Sequence, residues 1–303
     1  MNKLLVILGP TASGKSDLAI QIAKLFNGEI ISADSRQVYR GMDIGTGKVK
    51  IQKVKAKSKS LYSESIRHHL LDVVDPNEYF SVAQYQKLAV KAIKDIQKRN
   101  KLPILCGGTG LYLSAIIEGW QFPNVPPNAN LRQELEGLNT EQLSQKLREL
   151  DPKRATTIDK NNRRRLIRAL EIIYQDKTVS SLKKKPLQEK ILILGIEKDK
   201  EESKRLIKIR LEKRLREGMI EEIKGLKENG VSSKRLDDFG LEYRWFNCYL
   251  EKKISFDEMK EKILKDSYHY AKRQMTWFKK IPNVHWVSNN EEAIKLASDF
   301  FSN

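Results

Sequence analysis

The apolar run Leu4-Leu5-Val6-Ile7-Leu8 passes directly into Gly9-Pro10-Thr11-Ala12-Ser13-Gly14-Lys15-Ser16. The run has the pattern of a strand covered on both faces, as in a parallel sheet, and the residues after it fit G-x-x-x-x-G-K-[ST]. Gly9 and Gly14 allow the backbone to curl so that consecutive N–H groups aim at one anion, and a helix opening near Lys15 adds the positive end of its dipole. Lys15 is expected to reach the terminal phosphate of a ligand, and Ser16 to offer its hydroxyl to Mg²⁺. The pattern from Asp17 to Phe26 supplies the required helix. Such a loop specifies a di- or triphosphate and leaves the rest of the ligand open. The bland alternative is a strand–helix turn that binds nothing.

The chain beyond repeats this theme. Glu29 to Ala33 reads as a second strand that delivers Asp34-Ser35-Arg36-Gln37-Val38-Tyr39 at its end. Ligands of open α/β sheets bind beyond the carboxyl ends of the strands, so Asp34 is expected in the same crevice as the phosphate loop. His68 to Pro76 forms a third apolar segment, with the adjacent His68 and His69 poorly spaced for joint metal binding and expected to cap or pack at a strand start. A helix capped by Ser81 follows to Lys98. Leu102 to Cys106 then reads as another buried strand, and Gly107-Gly108-Thr109-Gly110 opens a helix from Leu111, giving a second glycine turn with Thr109 at its tip.

Phe122-Pro123-Asn124-Val125-Pro126-Pro127-Asn128 is a stiff linker that ends the α/β pattern. Helices are predicted over 131–138, 141–150 (capped by Thr140) and 162–175, before Ile191 to Ile196 returns to the sheet. The later chain reads as helical over 204–229, 241–250 and 256–280, with Met275, Trp277 and Phe278 as core residues, then as a strand over 284–287 and a closing helix. The reading is therefore an α/β protein: a P-loop parallel-sheet core over 1–122 and 187–303, an inserted all-helical subdomain over 123–186, and a helical C-terminal part.

Charge narrows the function classes. Lys and Arg number 57 against 39 Asp and Glu, a formal charge of +18, which favours a polyanionic partner, nucleic acid ahead of an acidic membrane surface. The basic stretch from Lys48 to Lys59 is expected to be exposed beside the nucleic-acid face. Cys106 and Cys248 lie far apart, which argues against a disulfide framework or structural zinc and fits a reducing compartment. No stretch approaches the roughly 18 apolar residues of a membrane span, so a cytoplasmic protein without membrane attachment is expected. The guanine signature N-K-x-D of GTPases is missing, and the helical second half leaves no room for a helicase's second recombinase-like domain. A P-loop kinase acting on a nucleotide or RNA end remains open, as does a basic RNA-binding protein whose phosphate loop only gates a conformation.

Seven stretches in order resemble one family, the tRNA dimethylallyltransferases or tRNA isopentenyltransferases: Gly9–Ser16, Asp34–Tyr39, Met42–Lys48, His68–Asp72, Gly107–Leu113, Arg165–Glu171 and Ala271–Phe278. The resemblance implies transfer of a five-carbon allyl group from dimethylallyl diphosphate to the N6 amine of the adenosine 3′ of the anticodon, with Mg²⁺ as cofactor and no need of ATP. Gly9, Pro10, Thr11, Ala12, Ser13, Gly14, Lys15 and Ser16 would then hold the isoprenoid diphosphate, and Ser16 would be the metal ligand; Arg210 and Arg214, four apart and so on one helix face, are expected to reach the diphosphate from outside. Asp34 takes the place of the family's general base, with Lys15 and Thr109 completing the catalytic set. The competing role for Asp34 is an outer carboxylate of the Mg²⁺ site. Contacts to the tRNA anticodon stem-loop are implied for Asp34, Ser35, Arg36, Gln37, Thr109, Arg132, Arg164, Arg165, Leu166, Ile167, Arg168, Lys272 and Arg273. A monomer is expected. The sequence departs from the family pattern between Arg214 and Gly218, about one turn shorter, and at Gly240-Leu241-Glu242-Tyr243-Arg244, which puts contacts carried over for residues 205–245 in doubt.

Overall fold

The computed structural model describes residues 2–50, 52–53, 61–176 and 183–302. Most of the basic stretch expected over 48–59 lies outside them. In chain order the elements are β1 (Lys3–Leu8), α1 (Lys15–Leu25), β2 (Gly28–Ser32), β3 (Gln52–Lys53), β4 (Leu61–Ser63), β5 (Ile66–His69), α2 (Val82–Lys98), β6 (Leu102–Gly107), α3 (Gly110–Ile117), β7 (Trp120–Gln121), α4 (Ala129–Glu136), α5 (Thr140–Leu150), α6 (Pro152–Thr157), α7 (Arg163–Asp176), β8 (Lys183–Lys184), β9 (Lys190–Ile196), α8 (Lys200–Arg216), α9 (Met219–Glu228), α10 (Ser233–Phe239), α11 (Leu241–Leu250), α12 (Phe256–Phe278), β10 (Val284–Val287) and α13 (Asn290–Ser302). They form two compact units, Met1–Glu118 with Leu187–Asn303, and Gly119–Pro186.

In the first unit the strands lie in the order β10-β9-β1-β6-β2-β5-β4-β3. The strands from β10 to β5 run parallel, and β4 and β3 close the edge as antiparallel neighbours. Period-two alternation divides the side chains between two layers. Leu4, Val6 and Leu8 pack with α2, α3 and Phe278 of α12, while Leu5 and Ile7 pack with α1 and α13. A third core joins Val38, Tyr39 and Met42 to helices α8 to α12. The predicted α/β class and helical C-terminal part are therefore present. Between 204 and 229 the helical pattern is interrupted, because Gly218 adopts a left-handed φ of 98° and separates α8 from α9.

The second unit is built from α4 to α7 around Leu135, Leu143, Leu147, Leu166 and Leu170. A short antiparallel ribbon between β7 and β8, which no sequence pattern announces, also belongs to it. The cap of α5 is Asn139, one residue before the expected Thr140: its side chain accepts from Gln142 N, and Gln142 Oε1 accepts from Asn139 N at 2.8 Å. Asn outranks Thr as a cap, and the reciprocal bond makes a full capping box.

His68 and His69 stand at the end of β5, not at its start. His69 Nε2 lies 2.7 Å from Glu29 Oε2, part of a buried network in which Arg99 and Lys101 also reach Glu29. His68 is 7% exposed, and its Nε2 finds no partner among the described residues. Burial, with the neighbouring His69 adding to it, pushes its imidazole down to about 4. Because the folded state holds this ring neutral while the unfolded chain protonates near 6.5, its contribution is complete above that value and declines as pH falls toward 4. Urea denaturation should therefore show His68→Gln losing about 2 kcal/mol less stability than wild type between about pH 7 and pH 5.

Candidate active site

The loop after β1 is held as the motif requires. Ala12 and Gly14 take left-handed φ values of 63° and 85°, and Ser13 N donates to Pro10 O at 3.3 Å. Gly14 precedes Lys15, the first residue of α1, so the loop's N–H groups and the helix N-terminus converge. Lys15 Nζ donates to Pro10 O at 3.1 Å. Burial pushes this ammonium below its ordinary value, against the pull of Cys106 and Asp34. Lys15 and Ser16 line a cavity of about 520 Å³ together with Thr11, Asp34, Gln37 and Arg210. Leu166, Ile167 and the second unit's arginines belong to a different body and are described below.

Asp34 enters the cavity because β2 ends beside β6, Ser32 pairing with Cys106. One carboxylate oxygen, Oδ1, accepts from Arg36 N at 2.8 Å and Gln37 N at 3.4 Å, an Asx-type turn that fixes the side chain. The second glycine turn locks against it. Thr109 N donates to Ala33 O at 3.0 Å, and Thr109 Oγ1 accepts from Ser35 N at 2.9 Å. A Cβ at Gly107 would collide with the backbone of Ala33, so only glycine permits this approach. Tyr270, also in the cavity, hydrogen-bonds Thr109, and burial pushes its phenol up to about 12 with Asp34 contributing.

Several residues expected to read RNA are already engaged. Arg36 donates from Nε to Phe239 O at 2.9 Å and from Nη2 to Asp238 O at 3.2 Å. Gln37 accepts from Ser32 Oγ at 2.8 Å and donates to Thr46 O at 3.3 Å. Arg214, expected at the diphosphate, is buried and ion-paired through Nη1 with Glu242, while its buried Nη2 has no partner among the described residues. Glu242 belongs to the stretch where the sequence departs from the family pattern, and here it neutralises Arg214. Arg210, one turn earlier, makes the direct contact with the phosphate loop, donating to Thr11 Oγ1 at 2.6 Å. Burial first, then Arg214, lowers its guanidinium to about 10.

Two positions in this site had no sequence signal of their own. Gln274 bonds to both glycine turns. Glu222 on α9 accepts from Asp43 N at 2.8 Å, Ile44 N at 2.6 Å, Gly45 N at 3.1 Å and Tyr243 Oη at 2.8 Å. It thereby shapes the cavity wall that contains Gly45, Thr46 and Gly47. The run of glycines in Met42–Lys48 hinted at a special backbone; the distant carboxylate that answers it could not be read.

The expected tRNA contacts of the second unit divide into three kinds. Arg132 holds Glu171 with Nε at 2.9 Å and Nη2 at 3.0 Å, and Arg168 Nη1 bonds to the same carboxylate, which is fully buried. Burial would raise Glu171, but the bonds from Arg132, Asn128 N and Arg168 outweigh it and hold the carboxyl below its usual range. Leu166 and Ile167 are core side chains at 0% and 8% exposure, so their side chains pack inside the unit and do not meet a macromolecule. Arg164 and Arg165 stand exposed at the start of α7. Lys272 and Arg273 are exposed on α12 of the first unit, Arg273 lying 5.8 Å from the ring of Tyr270.

Known proteins resemble this chain over nearly its whole length. A family profile described as IPP transferase matches residues 37–281. The chain is 42% identical over 300 residues to a tRNA dimethylallyltransferase of Acetivibrio thermocellus, covering 96% of this chain and 93% of that protein. It is also 42% identical over 302 residues to tRNA dimethylallyltransferase 1 of Syntrophus aciditrophicus, with 97% of both covered. Among solved structures, the full-length tRNA isopentenylpyrophosphate transferase of Bacillus halodurans superposes with a TM-score of 0.71 at 35% identity, over 100% of this chain and 96% of that one. A eukaryotic dimethylallyltransferase acting on tRNA gives a TM-score of 0.81 at 27% identity, over 100% of this chain and 80% of that one.

Glu222→Ala would leave three backbone N–H groups of the cavity wall without their acceptor. Its unfolding free energy in urea should fall by about 2–4 kcal/mol, and Glu222→Gln, which keeps one acceptor oxygen, should recover part of that loss.

Proposed function

This chain belongs to the tRNA dimethylallyltransferase family, and on that premise we propose that it transfers a dimethylallyl group from dimethylallyl diphosphate to the N6 amine of the adenosine 3′ of the anticodon in tRNA. The observation that carries this reading is the meeting of two chemistries in one cavity: the anion-binding loop with Lys15 and Ser16, and the carboxylate of Asp34 fixed against Thr109.

An adenine amine is a weak nucleophile, since its lone pair is delocalised into the ring. Diphosphate departs only if its growing charge is met. As the C–O bond of the allyl diphosphate breaks, Lys15 and the loop N–H groups stabilise the leaving oxygen, with Arg210 beside them. As the C–N bond forms, the amine proton passes to the Asp34 carboxylate. Thr109 orients the amine. The Ser16 hydroxyl, which lines the cavity beside the loop, suits Mg²⁺, which takes oxygen ligands and keeps several waters and substrate phosphates. Bound through Ser16, Mg²⁺ would neutralise part of the diphosphate charge.

The target base must leave the anticodon stack to enter such a cavity. Ser35, Arg36 and Gln37 border it, and the donors of Arg36 beyond Nε and Nη2 are directed to RNA in this reading. Arg164, Arg165, Lys272 and Arg273 contribute phosphate contacts, whereas Arg132 and Arg168 act through Glu171 by holding α4 and α7 together. We further propose that one copy of the chain suffices and that it works in the cytoplasm, where its tRNA substrate is found. Among the described residues no helix is long and apolar enough to cross a membrane.

Incubation with unmodified tRNA, Mg²⁺ and dimethylallyl diphosphate, without ATP, should yield adenosine carrying a five-carbon adduct by mass spectrometry; phosphate transfer from ATP and no adduct would favour a kinase instead. Asp34→Asn keeps the oxygen that accepts from Arg36 N and Gln37 N, so the turn should survive while kcat drops about 10²–10⁴-fold at every Mg²⁺ concentration. Recovery at high Mg²⁺ would instead assign Asp34 to the metal. Lys15→Ala should abolish transfer but leave most of the tRNA affinity in a filter-binding measurement, and loss of both would show that the phosphate loop and the RNA site are not separate.

A further inference from the structure

Gln274 on α12 takes no part in the chemistry above, yet it touches both sides of the cavity. It is 6% exposed, its Oε1 accepts from Thr11 N at 2.9 Å, and its Nε2 donates to Gly108 O at 2.7 Å. One partner is a backbone donor and the other a backbone acceptor, so the amide has only one orientation that satisfies both. The partners lie 263 and 166 residues away in sequence.

Each partner is coupled to one half of the reaction. Thr11 belongs to the phosphate loop, which receives the leaving diphosphate. Gly108 lies between Gly107, packed on the backbone of Ala33, and Thr109, which bonds to Ala33 O and Ser35 N. A shift of Gly108 therefore carries Thr109 and the backbone on both sides of Asp34 with it. The helix that supplies Gln274 is itself firmly seated: Phe278 is fully buried, and Trp277 Nε1 donates to Ser114 Oγ of α3 at 3.0 Å. A Cβ at Gly108 would collide with Gln274 Nε2, so the turn is shaped around this amide.

We propose that Gln274 is a positioning residue that sets the separation between the diphosphate side and the amine side of the cavity, an inference that rests on the transfer reaction proposed above. Allyl transfer joins a carbon leaving one side to a nitrogen held by the other, and an error of about 1 Å in such an alignment costs on the order of 100-fold. The Thr11 N–H is also committed to Gln274, so the diphosphate is left to the remaining loop amides and Lys15.

Gln274→Met keeps length and volume but removes both bonds. Its kcat for prenylation of an anticodon stem-loop should fall about 100-fold, with KM for dimethylallyl diphosphate and for RNA each within about threefold of wild type. Gln274→Glu adds a pH readout. Its protonated acid can again accept from Thr11 N–H and donate to Gly108 O, whereas its carboxylate cannot donate. The ratio of its kcat to that of wild type should rise at least about tenfold as pH falls from about 8.5 to about 6, since burial raises a carboxyl's pKa. Lys15, Asp34, Arg210, Tyr270 and Arg273 line the same cavity, and Gln274→Met followed over the same pH range carries their titration without an ionisable group at 274. If Gln274→Met fails to fold, the Gln274→Glu comparison decides alone. A Gln274→Met kcat within about threefold of wild type, or a Gln274→Glu deficit independent of pH, overturns the inference while leaving an active wild type and its function intact. A wild type that transfers no allyl group overturns the proposed function and this inference together.

Discussion

The approach of Gly107 to Ala33 is the contact on which the site depends. Two parallel strands, β2 and β6, end side by side, and the absence of a side chain at 107 lets one backbone rest on the other. Three bonds follow from that proximity: Ala33 N to Cys106 O at 2.7 Å, Thr109 N to Ala33 O at 3.0 Å, and Ser35 N to Thr109 Oγ1 at 2.9 Å. They place a carboxylate and a hydroxyl at the mouth of the sheet beside the anion-binding loop of β1. Every further element of the first unit's site, from Gln274 on α12 to Arg210 on α8, is packed around this junction of strand ends.

The positive charge of the chain is distributed less simply than its total suggests. Part of it answers buried carboxylates: Arg99 and Lys101 reach Glu29, Arg132 and Arg168 hold Glu171, and Arg214 meets Glu242. Each buried acid would be costly alone and is retained only with its cations. Lys48 is the reverse case, a buried cation that ties Tyr39 O and the exposed Asp43 together at 2.6 and 2.7 Å and fixes the loop whose glycines line the cavity. Each such pairing removes an acid along with its cations, so the net +18 still faces a polyanion, and the exposed Arg164, Arg165, Lys272 and Arg273 are better candidates to meet it than the cations spent inside.

The strand–loop–helix at the start of the chain was legible because all its determinants are local: an apolar run, glycine spacing and an amphipathic pattern within about 25 residues. The second glycine turn was legible for the same reason, and so was the helical insertion. The position of Asp34 followed from a general rule of open sheets. The histidines were harder, since a two-residue His pair looks the same at either end of a strand; Leu70 and Asp72, both with positive φ, end β5 immediately afterwards. The role of Arg168 was hidden because an arginine pairing with an acid three residues along the helix and a carbonyl 43 residues away has the same sequence signature as one facing solvent.

By itself the sequence determined the sheet class, the strand–glycine loop–helix at the start of the chain, the acid beyond the second strand and the excess of positive charge, since period, spacing and net charge are properties of the chain before it folds. Tertiary structure alone decided which of the many cations are spent inside, that Arg210 and not Arg214 reaches the phosphate loop, and that Gln274 and Glu222 hold the walls of the cavity. Apart from Arg168 with Glu171 on one helix, these are pairings between groups 28 to 263 residues apart, and a polar side chain carries no local mark of the partner it meets only once the helices have packed.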